Sequence, residues 1–395
     1  MRTPQRILPL IVCAQFLCTS LWFAGNAVMK TLISHFHLTE AALAYLTSSV
    51  QLGFISGTLV FALLAIADRF SPSKVFFVSA ILGAIFNLGT IWEGNSLLSL
   101  ICFRFMTGFF LAGIYPVGMK IAADYYQKGL GKSLGFLVGA LVFGTAFPHI
   151  LTGLFSDDNW TLIISITSSL AVFGGALIYF LVPDGPYRVP GKKLELKLAA
   201  KIFQSRDFRS AAFGYFGHMW ELYAFWAFVP FMLTYYQSLH PAANIDVSLW
   251  SFLIIGIGGL ACMWGGYIAQ KHGAKFTANS SLLLSFIACL LSVFMFKLPS
   301  PMLFLGFLLF WGAVVVADSP LFSTLVADHA LPELKGSALT IVNCIGFAIS
   351  ILSIQLVDFL VNLIPTEYVF VCLSFGPLLG LMALKTSSHG AVMEA

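Results

Sequence analysis

A handful of ionisable side chains stand isolated inside long apolar stretches, and these are the residues best placed to do chemistry. His218 and Glu221 occur in Gly217-His-Met-Trp220-Glu-Leu-Tyr223-Ala-Phe-Trp226. A spacing of three places both on one face of a helix. Histidine changes charge near neutral pH, and a carboxylate shut away from water is favoured in its neutral form, so the two read as a proton-exchange site. Glu221 ranks first, because an unpaired acid is costly to bury. The competing role is an internal ion pair that fastens this helix to a neighbour. Trp220, Tyr223 and Trp226 add amphipathic aromatic surface able to grip a solute. Asp318, in Val316-Ala-Asp-Ser-Pro320, could accept a proton, pair with a basic group or hold a cation, with a helix cap as its alternative. Arg104, in Arg104-Phe-Met-Thr-Gly108, offers a permanently charged planar fork suited to carboxylate- or phosphate-like groups. Its alternative is a structural partner to backbone carbonyls or to a polar residue of the first helix.

Uncharged polar residues extend the set. Gln15, Thr19, Trp22 and Asn26 recur at spacings of three and four and so form one helical stripe. Gln51, His149 and Asn343 are further candidates. Singly, each is better read as interhelical glue worth about 1 kcal/mol.

Other chemistries lack their residues. The seven cysteines fall inside apolar runs, without a CxxC pair or nearby histidines at zinc spacing. His218-Met-Trp-Glu221 lacks the second histidine four residues on that a zinc helix needs. Neither a Gly-x-Ser-x-Gly nor a Gly-x-x-x-x-Gly-Lys-Ser/Thr element occurs, so the chain reads as no enzyme, with no cofactor or metal and no ATP-driven pump.

The elements that must position these residues follow from composition. Of 395 residues 59% are hydrophobic and 10% charged, with a mean hydropathy of +0.91. Soluble domains carry roughly 25% charged residues, so the outer surface of this chain must face lipid. A spanning helix takes about 20 mainly apolar residues. Twelve such segments are present, centred near residues 18, 54, 84, 111, 144, 172, 222, 258, 286, 314, 349 and 376. Arg2 and Arg6 precede the first, which runs on past Ala27 without a convincing cleavage site and reads as a retained helix rather than a leader. The stretch from Asp184 to Arg209 is basic, with Arg188, Lys192, Lys193, Lys197, Lys201, Arg206 and Arg209. It divides the chain into a six-helix bundle at 1–183, a linker at 184–209 and a second six-helix bundle at 210–395.

Basic residues orient the chain. With an even helix count, Arg2, Arg6, Arg69, Lys74, Lys128, Lys132, the linker, Lys271, Lys275, Lys335 and Lys385 share one side. The other side has Lys30 and Lys297 with Glu40, Glu93, Asp157, Asp158, Asp246 and Glu367. The basic side, with both termini, is expected in the cytoplasm of a cell inner (plasma) membrane. That topology accounts for the basic cluster without nucleic acid.

The halves also echo one another. Leu64-Ala-Ile-Ala-Asp68-Arg69-Phe-Ser71-Pro-Ser-Lys74 follows the second segment, and Gly266-Tyr-Ile-Ala-Gln270-Lys271-His-Gly273-Ala-Lys275 follows the eighth. Internal repeats of this kind accompany secondary transporters. With these loops the chain resembles the major facilitator superfamily, whose loop motif runs Gly-x-x-x-Asp-Arg-x-Gly-Arg-Lys. The first copy lacks the glycines, having Leu64 and Ser71; the second has Gln270 in the acidic position. Arg104 and Gly108 are similar to the family's intramembrane Arg-x-x-x-Gly element. Gly135, Gly139, Gly144 and Pro148 only partly match the helix 5 element of its antiporters, since no proline follows Gly139.

The resemblance implies an all-α integral membrane protein of twelve transmembrane helices in two pseudo-symmetric bundles. It implies a cavity lined by helices 1, 4, 5, 7, 10 and 11, with Arg104, Gln15, Trp22, Asn26, Trp220, Tyr223, Trp226 and Asn343 against the solute. Glu221, His218 and Asp318 would couple protons. Asp68, Arg69, Lys74, Lys120, Asp124, Gln270, Lys271 and Lys275 would gate the basic side. The expected activity is secondary active transport of a small polar, anionic organic solute, coupled to protons and working as a monomer, with uptake favoured by the missing antiporter element. Proton-driven export of a metabolite, drug or siderophore is the alternative, and a non-transporting sensor on the same fold is the alternative of another class.

Overall fold

The computed structural model describes residues 6–126, 130–155, 159–188, 201–331 and 334–385. Arg2, Lys128, Asp157, Asp158, Lys192, Lys193 and Lys197, with the side chain of Lys132, lie outside the described residues. The protein is an all-α integral membrane protein. Its rods are α1 (Ile7–Thr19, continued by Ala24–Ala27 and Met29–His35), α2 (Ala42–Leu63), α3 (Pro72–Gly89), α4 (Leu97–Leu111 and Tyr115–Tyr125), α5 (Leu130–Phe155) and α6 (Trp160–Leu181). The second set is α7 (Arg206–Leu239), α8 (Val247–His272), α9 (Ala274–Lys297), α10 (Pro301–Ala317 and Ser319–His329), α11 (Lys335–Val361) and α12 (Thr366–Val369, a 3-10 turn at Phe370–Ser374, then Phe375–Lys385).

Among the described residues, ten of these rods are long and apolar enough to cross a bilayer. The two that fall short are the first helix of each half. In α1 the longest uninterrupted piece is Ile7–Thr19, and α7 carries Arg206, Asp207, Arg209, His218 and Glu221 along its length. The first falls short in length because it is broken, the second in hydropathy because of its charges.

Close helix packing repeats between halves. Gly108 of α4 lies against the Val50 carbonyl of α2, and Gly312 of α10 against the Ile254 carbonyl of α8, with no room for a Cβ at either. An equal number of residues separates the two glycines and the two carbonyls. At Gly273, between α8 and α9, a φ of 87° favours glycine.

The described chain ends and the start of the linker share one face of the molecule, here the terminal face; the opposite one is the far face. Toward the far face the halves are sealed along two antiparallel seams. In the α2–α11 seam, Gln355 Nε2 donates to Ser48 Oγ (2.9 Å) and Ser350 Oγ to Gln51 Oε1 (3.1 Å). In the α5–α8 seam, Gly153 faces Ser248, Phe143 packs on Gly256 and Gly259, and Gly139 meets the Gly259 carbonyl. Nearer the terminal face nothing approaches within 4 Å of a Cβ built at Gly135 or Gly266. A crevice of about 270 Å³ separates α5 from α8 and α10 there. The molecule is closed toward the far face and parted toward the terminal face.

Candidate functional site

Where α1 and α7 meet, aromatic rings from both halves close the centre. Trp22 of α1 stacks on Tyr223 of α7 (5.8 Å, 25°) and on Phe347 of α11 (5.6 Å, 30°), and lies 4.8 Å from Phe54 of α2. Tyr223 meets Trp226 edge-on at 5.3 Å, and Trp226 in turn meets Phe23 at 6.3 Å. The rings are buried, yet the indole N–H groups of Trp22 and Trp226 have no hydrogen-bond partner. Buried donors of this kind cost about 1–3 kcal/mol each, so the cluster is a polar-tipped apolar plug that gains by finding an acceptor.

The second half holds the acids, and it does not join His218 to Glu221. His218 Nδ1 lies 2.8 Å from Asp318 Oδ1, with side-chain exposures of 0% and 1%. Asp318 sits at the break between the two pieces of α10 and makes no side-chain cap, so it is not the terminal cap weighed from sequence. Seven residues earlier on α10, Trp311 Nε1 donates to Glu221 Oε1 (2.6 Å), which also accepts from Cys289 Sγ of α9 (3.3 Å). Spacing of three on α7 thus feeds two separate sites on α10, a histidine–aspartate pair and a carboxylate held by neutral donors.

The first half holds the arginine. Arg104 is 1% exposed; Nη1 donates to the Leu21 carbonyl (3.2 Å) and Asn87 Oδ1 (3.0 Å), and Nη2 to the Trp22 carbonyl (2.5 Å). These carbonyls belong to the break in α1 between Thr19 and Ala24. Chain that leaves a helix inside a bilayer must satisfy its backbone groups within the protein, and the Arg104 fork does so while Asn87 docks α3 through Ser168 (2.9 Å) of α6. Gly25 keeps the approach open, since a Cβ there would lie 3.2 Å from Arg104 Nε. The arrangement matches the structural alternative weighed for Arg104.

The remaining candidates divide. Asn26 Nδ2 donates to Thr47 Oγ1 (2.7 Å), which joins α1 to α2. Gln15 is fully buried with both amide atoms unpartnered. Asn343 is half-buried one turn from Phe347 on α11. Trp220 is turned away from the plug, its Nε1 bonded to the Cys372 carbonyl (3.1 Å) and its ring against Phe375 of α12. At the terminal face Lys120 Nζ sits 2.9 Å from Asp68 and 3.8 Å from Asp124. Arg188 clamps the same loop through the Asp68 and Phe70 carbonyls. Arg69, Lys74, Gln270 and Lys271 lie at the surface and Lys275 is half-buried, and none makes an ion pair among the described residues.

Residues 11–354 match the model of the Major Facilitator Superfamily. The chain belongs to that superfamily. Membership makes it a multi-pass membrane protein of a transporter family rather than an enzyme. Among curated relatives, an uncharacterized MFS-type transporter YybF of Bacillus subtilis (strain 168) is 20% identical over 66% of this chain. The match spans 64% of that relative's own length. A bicyclomycin resistance protein homolog of Haemophilus influenzae is 21% identical over 71% of each chain. Among solved structures, the proton:xylose symporter XylE bound to 6-bromo-6-deoxy-D-glucose superposes with a TM-score of 0.75 at 15% identity, covering 95% of each chain. A point mutant of the nucleoside transporter NupG gives 0.73 at 14% identity, covering 96% of this chain and 99% of that one. At these identities the likeness is one of fold.

Within this superfamily member, sequence reasoning missed the partners more than the charges. Asn87, Trp311, Cys289, Phe54 and Phe347 were not singled out, although Asn87 is the one asparagine of α3 and Trp311 the one tryptophan of α10. A lone amide or indole in an otherwise apolar helix was the available signal.

Proposed function

We propose that this protein is a secondary active transporter that moves a small polar organic solute by alternating access, coupled to protons through His218 and Asp318. The observation that carries the reading is the His218–Asp318 contact. A histidine and an aspartate 2.8 Å apart at a helix break share a proton easily, and they sit on α7 and α10, which move with the second half. Glu221 serves the same half as a carboxylate held by Trp311 and Cys289, and it is the second proton site. Trp22, Tyr223 and Trp226 close over the solute from the far side, with Gln15 and Asn343 as the polar groups of the wall. Arg104 holds the α1 break, so the anionic character expected of the solute has no support from its fork, and the solute is assigned as polar without a required charge. Asp68, Lys120 and Asp124 form the terminal-face latch, with the basic residues of that face oriented to the cytoplasm.

The test begins with purified protein melted across a metabolite panel, because a solute that binds the folded state raises its melting temperature. The stabilising solute is then loaded into proteoliposomes under an imposed pH gradient. Accumulation that collapses when the gradient is dissipated is the expected result. Solute flux indifferent to the gradient overturns the coupling, and absence of flux for every stabilising solute overturns transport in favour of a sensor.

A second reading, proton-driven export, draws support from the likeness to the bicyclomycin resistance protein homolog and from the aromatic plug, which suits an apolar solute. The incomplete antiporter element of α5, with no proline after Gly139, favours uptake. The sign of the gradient that drives accumulation separates the two.

A further inference from the structure

The crevice at the terminal face combines an apolar wall with a basic rim, whose Lys271 and Lys275, expected in the gate, make no ion pair among the described residues. Its wall is built by Phe136 of α5, Met263 and Tyr267 of α8, and Pro320 and Leu321 of α10. It exists because α5 and α8, which touch backbone to backbone at Gly139 and Gly259, part below that point. Gly135 and Gly266 line the gap and leave it empty of side chain. Trp264 and Tyr267 flank it on the lipid-facing surface, 68% and 52% exposed; such rings mark the level of lipid headgroups.

The rim follows from how the two halves differ. In the first half Asp68, in the loop after α2, holds Lys120, while Arg69 and Lys74 make no ion pair among the described residues. In the second half Gln270 stands in the acidic position, and Thr324 occupies the place of Lys120, each four residues beyond its helix proline, Pro320 and Pro116. Gln270 and Thr324 both line the crevice. Lys271 beside Gln270, and Lys275 beside the lining residue Ala274, are left without an ion pair among the described residues. The nearby carboxylate, Asp328 one turn beyond Thr324, makes no ion pair among the described residues either. A half that lacks the counterparts of Asp68 and Lys120, and keeps only Asp328 in the place of Asp124, thus holds its cations next to an apolar slot.

We propose that this crevice binds an anionic phospholipid of the adjoining leaflet, with an acyl chain between α5, α8 and α10 and its phosphate against Lys271 and Lys275. Juxtamembrane lysines attract anionic headgroups, and the slot supplies the apolar contact that a soluble phosphate would not use. The proposal stands on the fold and the loop charges, independently of which solute is carried.

The experiment melts full-length protein in detergent with added phosphatidylglycerol, with phosphatidylcholine of the same chains, or with glycerol phosphate. Wild type is expected to gain several degrees from phosphatidylglycerol, far less from phosphatidylcholine and nothing from glycerol phosphate. Lys271→Gln/Lys275→Gln should reduce the gain to the phosphatidylcholine level. Gly266→Leu should do the same, and because open space surrounds that Cβ its melting temperature without lipid should match wild type. Equal gains from the two lipids in wild type overturn the proposal. So does a full gain in Gly266→Leu, which would put the lipid on the basic loop alone, or a gain from glycerol phosphate equal to that from the lipid.

Discussion

His218 Nδ1 and Asp318 Oδ1 stand 2.8 Å apart at the one break of α10, in a part of the second half that water does not reach. A charge there is stable only while paired, so loading a proton on the pair changes what α7 and α10 can pack against. Asp318→Asn should therefore abolish accumulation driven by a pH gradient, bringing the inside-to-outside ratio to unity, while solute exchange without a gradient continues. Counterflow and gradient-driven uptake in the same proteoliposomes check it. Normal accumulation by Asp318→Asn would move the coupling to Glu221.

Arg104 commits its fork to the Leu21 and Trp22 carbonyls and to Asn87. Arg104→Lys keeps the charge and loses the bidentate geometry. Each buried carbonyl left without a donor costs about 1–3 kcal/mol, so the variant should melt several degrees lower even without solute. Thermal unfolding of the solute-free protein reads this directly. A wild-type melting temperature combined with weakened solute binding would return Arg104 to the solute.

The contrast between Arg104 and its partners shows what was legible in the sequence. Twelve apolar segments, a central basic stretch and two degraded loop motifs carried the fold, because bilayer thickness and backbone satisfaction leave few alternatives to spanning helices. Charges in apolar runs were equally visible. What each charge touches was not, since helical periodicity reports the face of one helix and not the neighbour across from it. Thus His218 and Glu221 share a face of α7 yet part to Asp318 and Trp311, seven residues apart on α10. Trp220 belongs to the same aromatic run as Tyr223 but faces α12. The conformational state, closed on one side and open on the other, depends on contacts between halves and leaves no mark in periodicity at all.

Lys120 and Asp68, both nearly a quarter exposed, join α4 to the loop after α2. For a pair of this exposure the coupling is about 0.2–1 kcal/mol, to be measured by a double-mutant cycle on Asp68→Asn and Lys120→Gln. The single substitutions should also alter the balance between the two open states, read as reactivity of a cysteine introduced at Gly135 toward a thiol reagent. A coupling of zero with unchanged reactivity would remove the pair from the gate.

His149 Nε2 in α5 and Ser251 Oγ in α8 are buried without partners, between the contacts that Gly153 makes with Ser248 and Ala146 with Gly256. Such groups make closure of the far side costlier than an apolar seam would. His149→Leu should therefore favour the closed seam, raising the melting temperature by a few degrees and slowing turnover. A lowered melting temperature would mean that His149 is satisfied in the native state.

The far-side seam can also be locked covalently. A Cβ at Gly153 would lie 3.3 Å from Ser248 Cβ, a few tenths short of the roughly 3.5–4.5 Å that disulfides adopt, and both residues sit near helix ends where the backbone can yield. In a background freed of the native thiols, Gly153→Cys/Ser248→Cys should oxidise readily. Because the halves would then be unable to part toward the far face, flux should cease on oxidation and return on reduction, while solute binding from the terminal face persists. The crosslinked protein should also keep a cysteine at Gly135 reactive, since the crevice there belongs to the same closed-seam state. Full flux in the oxidised, crosslinked protein would show that α5 and α8 do not separate during transport, and with that the two-sided exchange of access would fail.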